Sequence, residues 1–215
     1  MLSDGSTTVV IDTGPDFRQQ MLREQVKSLD AVVFTHQHKD HVAGLDDVRA
    51  FNYLQQRDMP IYAHDETIDR LKVEFGYAFG ETLYPGVPNL SLNEIRSEAF
   101  SIGRIELLPV PVWHKDMKVL GFRVGNFAYI TDANMIPESS YQLLAGVETL
   151  VLNALRRSPH YSHFSLDEAV TVARKIGAGQ TWFTHISHLL GKHEEVSKEL
   201  PRGINLAWDG LKIDI

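Results

Sequence analysis

The sequence contains no cysteine. Disulfides, thiolate metal sites, iron–sulfur clusters and a cysteine nucleophile are therefore excluded. No apolar run approaches the roughly 20 residues that span a bilayer. The opening Met1-Leu2-Ser3-Asp4-Gly5 lacks the basic-then-apolar pattern of a signal peptide, so the sequence predicts a cytoplasmic protein without a membrane partner. Positive charge is in short supply: 21 Lys and Arg stand against 28 Asp and Glu, a formal net charge of −7. That balance argues against polymeric nucleic acid as a partner and leaves room for a small phosphate-bearing substrate. Repeats, low-complexity tracts and Pro/Gly/Ser linkers are also missing, so the 215 residues read as one domain, 1–215. A hydrophobic fraction of 43% with 23% charged residues suffices for a packed core. What the chain has in quantity is histidine, ten residues.

Apolar runs closed by turn residues predict strands over Thr8–Ile11, Ala31–Phe34, Met59–Ala63, Ile102–Leu108, Leu120–Val124, Phe127–Thr131, Glu148–Asn153, Thr181–Thr184 and Asn205–Trp208. Gly125-Asn126 fits a two-residue hairpin turn. Helices are expected over Phe17–Gln25, Val42–Gln56, Glu66–Phe75 and Glu194–Leu200. Another should run from a capping box at Ser165-Leu166-Asp167-Glu168 to Ile176. Helices alternate with strands at both ends and strands dominate the middle, which predicts a layered α/β protein with mixed sheets.

The segment Thr35-His36-Gln37-His38-Lys39-Asp40-His41 packs three histidines and an aspartate into six residues. Chance would produce that pattern in about 0.002 of chains of this composition. His36 and His38, two apart at a strand end, point to one side of an extended backbone. Asp40 and His41 follow in a turn into a helix. Imidazole and carboxylate are ligands that borderline divalent ions accept, and four packed titratable groups need something to neutralise their repulsion. Further candidates follow apolar strands: His114 after Val110-Pro111-Val112-Trp113, Asp132 after Phe127–Thr131, and His185 after Trp182-Phe183-Thr184.

With these residues the chain resembles the metallo-β-lactamase-fold hydrolases, whose first metal motif His36-x-His38-x-Asp40-His41 matches. The resemblance implies a four-layer αβ/βα sandwich with two divalent ions, zinc or manganese. His36, His38 and His114 would hold one ion and Asp40, His41 and His185 the other, with Asp132 bridging. A narrower likeness lies in Gly44–Asn52, Pro159-His160-Tyr161-Ser162-His163-Phe164-Ser165-Leu166 and Thr184-His185-Ile186-Ser187-His188. These segments look like the PhnP group of cyclic-phosphate phosphodiesterases, in which a histidine before Phe-Ser protonates the leaving alkoxide. That histidine is His163 here, and Asp40 is taken with it as catalytic.

The implied activity is hydrolysis of a small cyclic phosphodiester, of the phosphoribosyl 1,2-cyclic phosphate or 2′,3′-cyclic nucleotide type, by a homodimeric enzyme. Two other readings stand beside it: a tRNA 3′-processing type of nuclease, and a non-catalytic metal-binding protein on the same fold. The family usually opens with an extra strand, a Gly-rich loop and a Cys pair that holds a structural zinc with a histidine near His188. Either the sequence is N-terminally truncated relative to the family, or this branch has lost the hairpin and that zinc; on both readings a sheet edge is expected to lie bare along Val9–Ile11. Arg156 and Arg157 could clamp a phosphate, or lie solvated at the surface. His160 is open between phosphate binding and a loop cap. His64 and His193 read as structural and solvated.

Overall fold

The structure, a computed structural model, describes residues 1–80 and 86–215. They form two compact units, Met1–Leu107 and Leu108–Ile215. In the first, the strands are β1 (Leu2–Ser3), β2 (Thr8–Ile11), β3 (Ala31–Val33), β4 (Met59–Ala63), β5 (Leu90–Glu94) and β6 (Phe100–Ile102). Its helices are α1 (Phe17–Arg23), α2 (Lys39–Val42), α3 (Arg49–Gln55) and α4 (Asp65–Glu74). Strands β1 to β5 form one sheet in chain order, β1 antiparallel to β2 and the rest parallel. All three residues of β3 are buried, as expected of a parallel strand covered on both faces. Phe17, Leu29, Val32, Phe34, Leu45, Met59, Ile61 and Leu71 pack the core of this unit.

Strand β7 (Ile105–His114) crosses the unit boundary and is followed by β8 (Met117–Val124), β9 (Phe127–Ile130), α5 (Glu138–Leu143), β10 (Thr149–Asn153), α6 (Leu166–Ile176), β11 (Gln180–Thr184), α7 (His193–Glu199) and β12 (Ile204–Leu206). The second sheet has the order β12-β11-β10-β9-β8-β7-β6. It is parallel from β9 to β12 and antiparallel from β6 to β9. Helix α6 begins at the predicted capping box, with Ser165 and Glu168 bonding reciprocally, and stops at Gly177 in the left-handed region. The α/β class with two mixed sheets is the one that the sequence predicts. Among the described residues, no helix is long and apolar enough to cross a membrane.

Three expectations change. The edge at Val9–Ile11 is partly covered, because β1 folds back to pair Leu2 with Val9 and Ser3 with Thr8. Asp4 makes that turn: its carboxylate accepts from the N–H of Thr7 and Ser6 and from the Ser6 hydroxyl, bonds that lower its pKa. The helix expected over Val42–Gln56 is broken into α2, a 3₁₀ turn at Leu45–Val48 and α3. The break falls at Gly44, whose N–H donates to the Thr13 carbonyl at 2.8 Å. The segments Leu90–Glu94, Phe100–Ile102 and Glu138–Leu143 are additional elements.

Gly44 has a steric reason to be glycine. A Cβ there would stand 2.3 Å from the Gly14 carbonyl oxygen and 2.8 Å from Phe17 Cβ. Both neighbours are fixed, one by backbone and one by the core. Gly44→Ala is expected to lower the unfolding free energy by about 1–3 kcal/mol or more, read from a denaturant midpoint. A midpoint unchanged from that of the parent protein would contradict this packing.

Candidate metal centre

In the first unit the metal-type residues gather where β2 and β3 end. Asp12 follows β2 with a φ of 62°, a conformation that aspartate tolerates better than most residues. One of its oxygens, Oδ1, accepts the Thr35 N–H at 2.8 Å. The other, Oδ2, accepts the Thr35 hydroxyl at 2.8 Å and meets His41 Nδ1 at 2.7 Å. His36 Nδ1 lies 3.0 Å from the same Thr35 hydroxyl oxygen.

Proton counting now fixes the rings. The Thr35 hydroxyl has one hydrogen and gives it to Asp12, so its oxygen must accept from His36 Nδ1–H. Asp12 is an acceptor, so His41 Nδ1 must donate. Both neutral rings therefore carry their lone pair on Nε2. His36 is fully buried and His41 nearly so. Their ring centroids are 4.2 Å apart, and His38 lies 4.6 Å from His36. Asp40 Oδ2 is 3.6 Å from His41 Nε2. The four residues of the motif thus converge, with His38 and Asp40 at the exposed side.

The turn that carries them is held from below. Thr13 N–H donates to the His41 carbonyl at 2.7 Å, and a Cβ on Gly14 would stand 2.7 Å from the Asp40 carbonyl oxygen. The other residues of the motif reach α4: Gln37 accepts from the Thr67 hydroxyl at 3.1 Å, and Lys39 pairs with Glu74.

In the second unit the candidates stand at the ends of β7, β9 and β11. His114 Nδ1 meets the Ser162 carbonyl at 2.8 Å, which again puts the lone pair on Nε2. Asp132 is buried, with a φ of 52°, and His185 has a φ of 55°. Thr131 donates to Asp132 Oδ1 at 2.7 Å, where His185 Nε2 also lies, at 3.1 Å. His163 Nε2 is 3.2 Å from Asp132 Oδ2. Ligand-type atoms of His114, Asp132 and His163 all fall within 4.8 Å of one another.

His163 Nδ1 faces Ser162 Oγ at 3.1 Å and His160 Nδ1 at 3.2 Å. Burial, then the neighbouring charges of His163 and Arg156, lower the pKa of His160. Arg156 closes the loop before His160 by donating to the carbonyls of Ser158 and Pro159. Arg157 is held by Glu199 and the Leu190 carbonyl. The described partners of both arginines are therefore structural. His188 is exposed, His64 pairs with Asp65 at the start of α4, and His193 opens α7. A groove of about 1040 Å³ in the first unit, lined by Phe17, Leu22, Phe51 and Tyr53, contains none of the candidate ligands.

The donor set fits borderline divalent cations. Imidazoles with Nδ1 bound to carboxylate, hydroxyl or carbonyl, and Nε2 left to coordinate, are the usual outer-shell arrangement of metal-binding histidines. Asp12 escaped the sequence reading because a lone aspartate in Asp-Thr-Gly looks like any turn. Its partners lie 23 and 29 residues away. Asp12→Asn keeps the size and the backbone preference but turns Oδ2 or Oδ1 into a donor. It is expected to weaken zinc binding about 10–100-fold in calorimetric titration, with the metal-free protein still folded. Unchanged affinity would remove Asp12 from this role.

The β-lactamase superfamily domain matches residues 7–186. A solved structure described as a new diphosphatase from the PhnP family is 42% identical, with a TM-score of 0.91 over 100% of this chain and 82% of that one. An octanoyltransferase of Porphyromonas gingivalis is 34% identical over 99% of this chain, which spans only 43% of that protein's length. The probable metallo-hydrolase YhfI of Bacillus subtilis is 23% identical over 93% of this chain and 83% of its own. The matched domain takes in both strand-end clusters, and the chain belongs to the β-lactamase superfamily and, within it, to the PhnP family.

Proposed function

We propose that the protein hydrolyses a P–O bond in small phosphate compounds, with cyclic phosphodiesters as the leading substrate class. In this reading His36, His38, Asp40, His41, His114, Asp132 and His185 hold two divalent ions. Bound ions of this kind polarise phosphoryl oxygens and bring the pKa of water towards neutrality. The remaining work falls to the chain's own groups.

The observation that carries the reading is His163. A carboxylate only accepts, so the contact with Asp132 places a proton on His163 Nε2, while Nδ1 can accept from the Ser162 hydroxyl. His36, His41 and His114 have the opposite arrangement, with the lone pair on Nε2. His163 is thus set up to give a proton beside His114, 4.5 Å away between ring centroids, whose ring is set up to give a lone pair. His185 also meets Asp132 through Nε2, and its place among the ligands rests on the family pattern. A proton held at His163 Nε2 can pass to the oxygen that leaves phosphorus.

A second reading has a specific support: the 42% identical structure is described as a diphosphatase. A phosphorus in a substituted diphosphate resembles one in a cyclic diester, with two bridging oxygens and a single charge. The two differ in leaving group, an alkoxide in the cyclic ester and a phosphate in the diphosphate. The excess of acidic residues speaks against the nuclease reading.

His163→Ala decides the role of the acid. It should slow hydrolysis of a 2′,3′-cyclic nucleotide by about 10²–10⁴-fold, and affect a p-nitrophenyl diester or a substituted diphosphate much less, with metal content unchanged. Equal losses on all three substrates would exclude proton donation by His163. Turnover confined to the diphosphate in the parent protein would overturn the cyclic-diester reading in favour of the second.

A further inference from the structure

We propose that Asn153 is a positioning residue, whose side-chain amide fixes the peptide after Asp132 and thereby sets Asp132, His163 and His185 relative to one another. The proposal rests on the reading above of those residues as ligands and acid. Asn153 is the last residue of β10 and fully buried. Its Oδ1 accepts the Ala133 N–H at 2.9 Å, and its Nδ2 donates to the Ala133 carbonyl at 3.0 Å. This reciprocal pair permits only one orientation of the amide. Asparagine is a poor strand former, so a packing argument does not account for it here. A planar group offering one donor and one acceptor to a single residue does.

The clamp falls where the backbone most needs one. Asp132 has a left-handed φ of 52°, and a conformation of that kind persists only where the surroundings over-determine it. Ala133 supplies that constraint on its C-terminal side. Its carbonyl also accepts from Phe164 N–H at 2.8 Å, the residue after His163. The two residues after Asn153 continue the pattern. Ala154 N–H donates to the carbonyl of Thr184, the residue before His185, at 3.0 Å. Leu155 N–H donates to the Phe164 carbonyl at 3.0 Å, and its own carbonyl accepts from Ser187 at 2.9 Å. One chain neighbour each of Asp132, His163 and His185 is therefore hydrogen-bonded to residues 153–155.

Asparagine also excludes its near relatives. Aspartate keeps the acceptor for Ala133 N–H but has no hydrogen for the Ala133 carbonyl. Alanine supplies neither bond. The interactions of Asn153 reach the site only through Ala133, so its loss should disturb metal binding without removing a ligand.

The test titrates zinc into metal-free Asn153→Ala and Asn153→Asp by calorimetry, beside the parent protein. Asn52→Ala serves as the control. Asn52 is another buried amide in a comparable clamp, on the carbonyls of Arg57 and Asn89 and the Asn89 N–H, and neither of those partners is a candidate ligand or the chain neighbour of one. Both Asn153 variants should bind zinc about 10–100-fold more weakly, while Asn52→Ala loses thermal stability yet keeps its affinity within about twofold. On substrates, Asn153→Asp should slow a p-nitrophenyl diester as well as a cyclic nucleotide, whereas His163→Ala largely spares the p-nitrophenyl diester. If Asn153→Ala does not fold, Asn153→Asp, which preserves the shape of the side chain, carries the comparison. Parental zinc affinity in Asn153→Asp, or an equal loss in Asn52→Ala, would overturn the proposal. The zinc titration needs no substrate, so it decides the role of Asn153 even if no phosphate compound is turned over.

Discussion

Each neutral imidazole has one N–H and one lone pair, and the arrangement of this protein follows from which nitrogen holds which. Asp12 accepts the Nδ1–H of His41 and the Thr35 hydroxyl hydrogen, and the Thr35 oxygen in turn accepts the Nδ1–H of His36. The Ser162 carbonyl takes that of His114. Three rings thereby keep their lone pair on Nε2, the nitrogen that would coordinate, and their orientation is fixed before any ion arrives. Preorganisation of this kind reduces the ordering that binding must impose. His163, whose Nε2 faces a carboxylate, carries the other tautomer, the one that the proposed proton donation requires.

The backbone supports that arrangement by holding residues in conformations that they would not choose. Asp12, Asp132 and His185 all have positive φ. Each sits just past a strand, where the chain must turn sharply while still pointing a polar side chain past the strand end. Such positions concentrate at functional sites because the rest of the fold can hold them there. In the first unit the Thr13–Gly14 segment is stapled to the turn of the metal motif, close enough that Gly14 and Gly44 have no room for a side chain. In the second unit the amide of Asn153 performs the equivalent task for Asp132. Open α/β sheets place ligands beyond the carboxyl ends of parallel strands, and Asp12, His36, Asp132 and His185 follow β2, β3, β9 and β11 at those ends.

Much of this is legible in the sequence where the signal is local. His36, His38, Asp40 and His41 are nearly contiguous, so their convergence needs only one turn. His114, Asp132 and His185 announce themselves as polar residues that close apolar strands, and the capping box of α6 lies within four residues. What is not legible depends on distant partners. Asp12 acquires its role from Thr35 and His41, and Asn153 from Ala133, none of which is a sequence neighbour. The break between α2 and α3 comes from the approach of Thr13 and Gly14, while the apolar period of Val42–Gln56 runs on as if one helix continued. Strand β5, Leu-Ser-Leu-Asn-Glu, has two apolar residues and no residue wholly buried, too little pattern to separate it from a loop.

The tautomers can be read without a metal or a substrate. Long-range ¹H–¹⁵N correlation spectra of the metal-free protein, above the pH at which its histidines are protonated, report which nitrogen of each neutral ring bears hydrogen. The account predicts Nδ1–H for His36, His41 and His114 and Nε2–H for His163. Nε2–H at His36, His41 or His114, or Nδ1–H at His163, would contradict it.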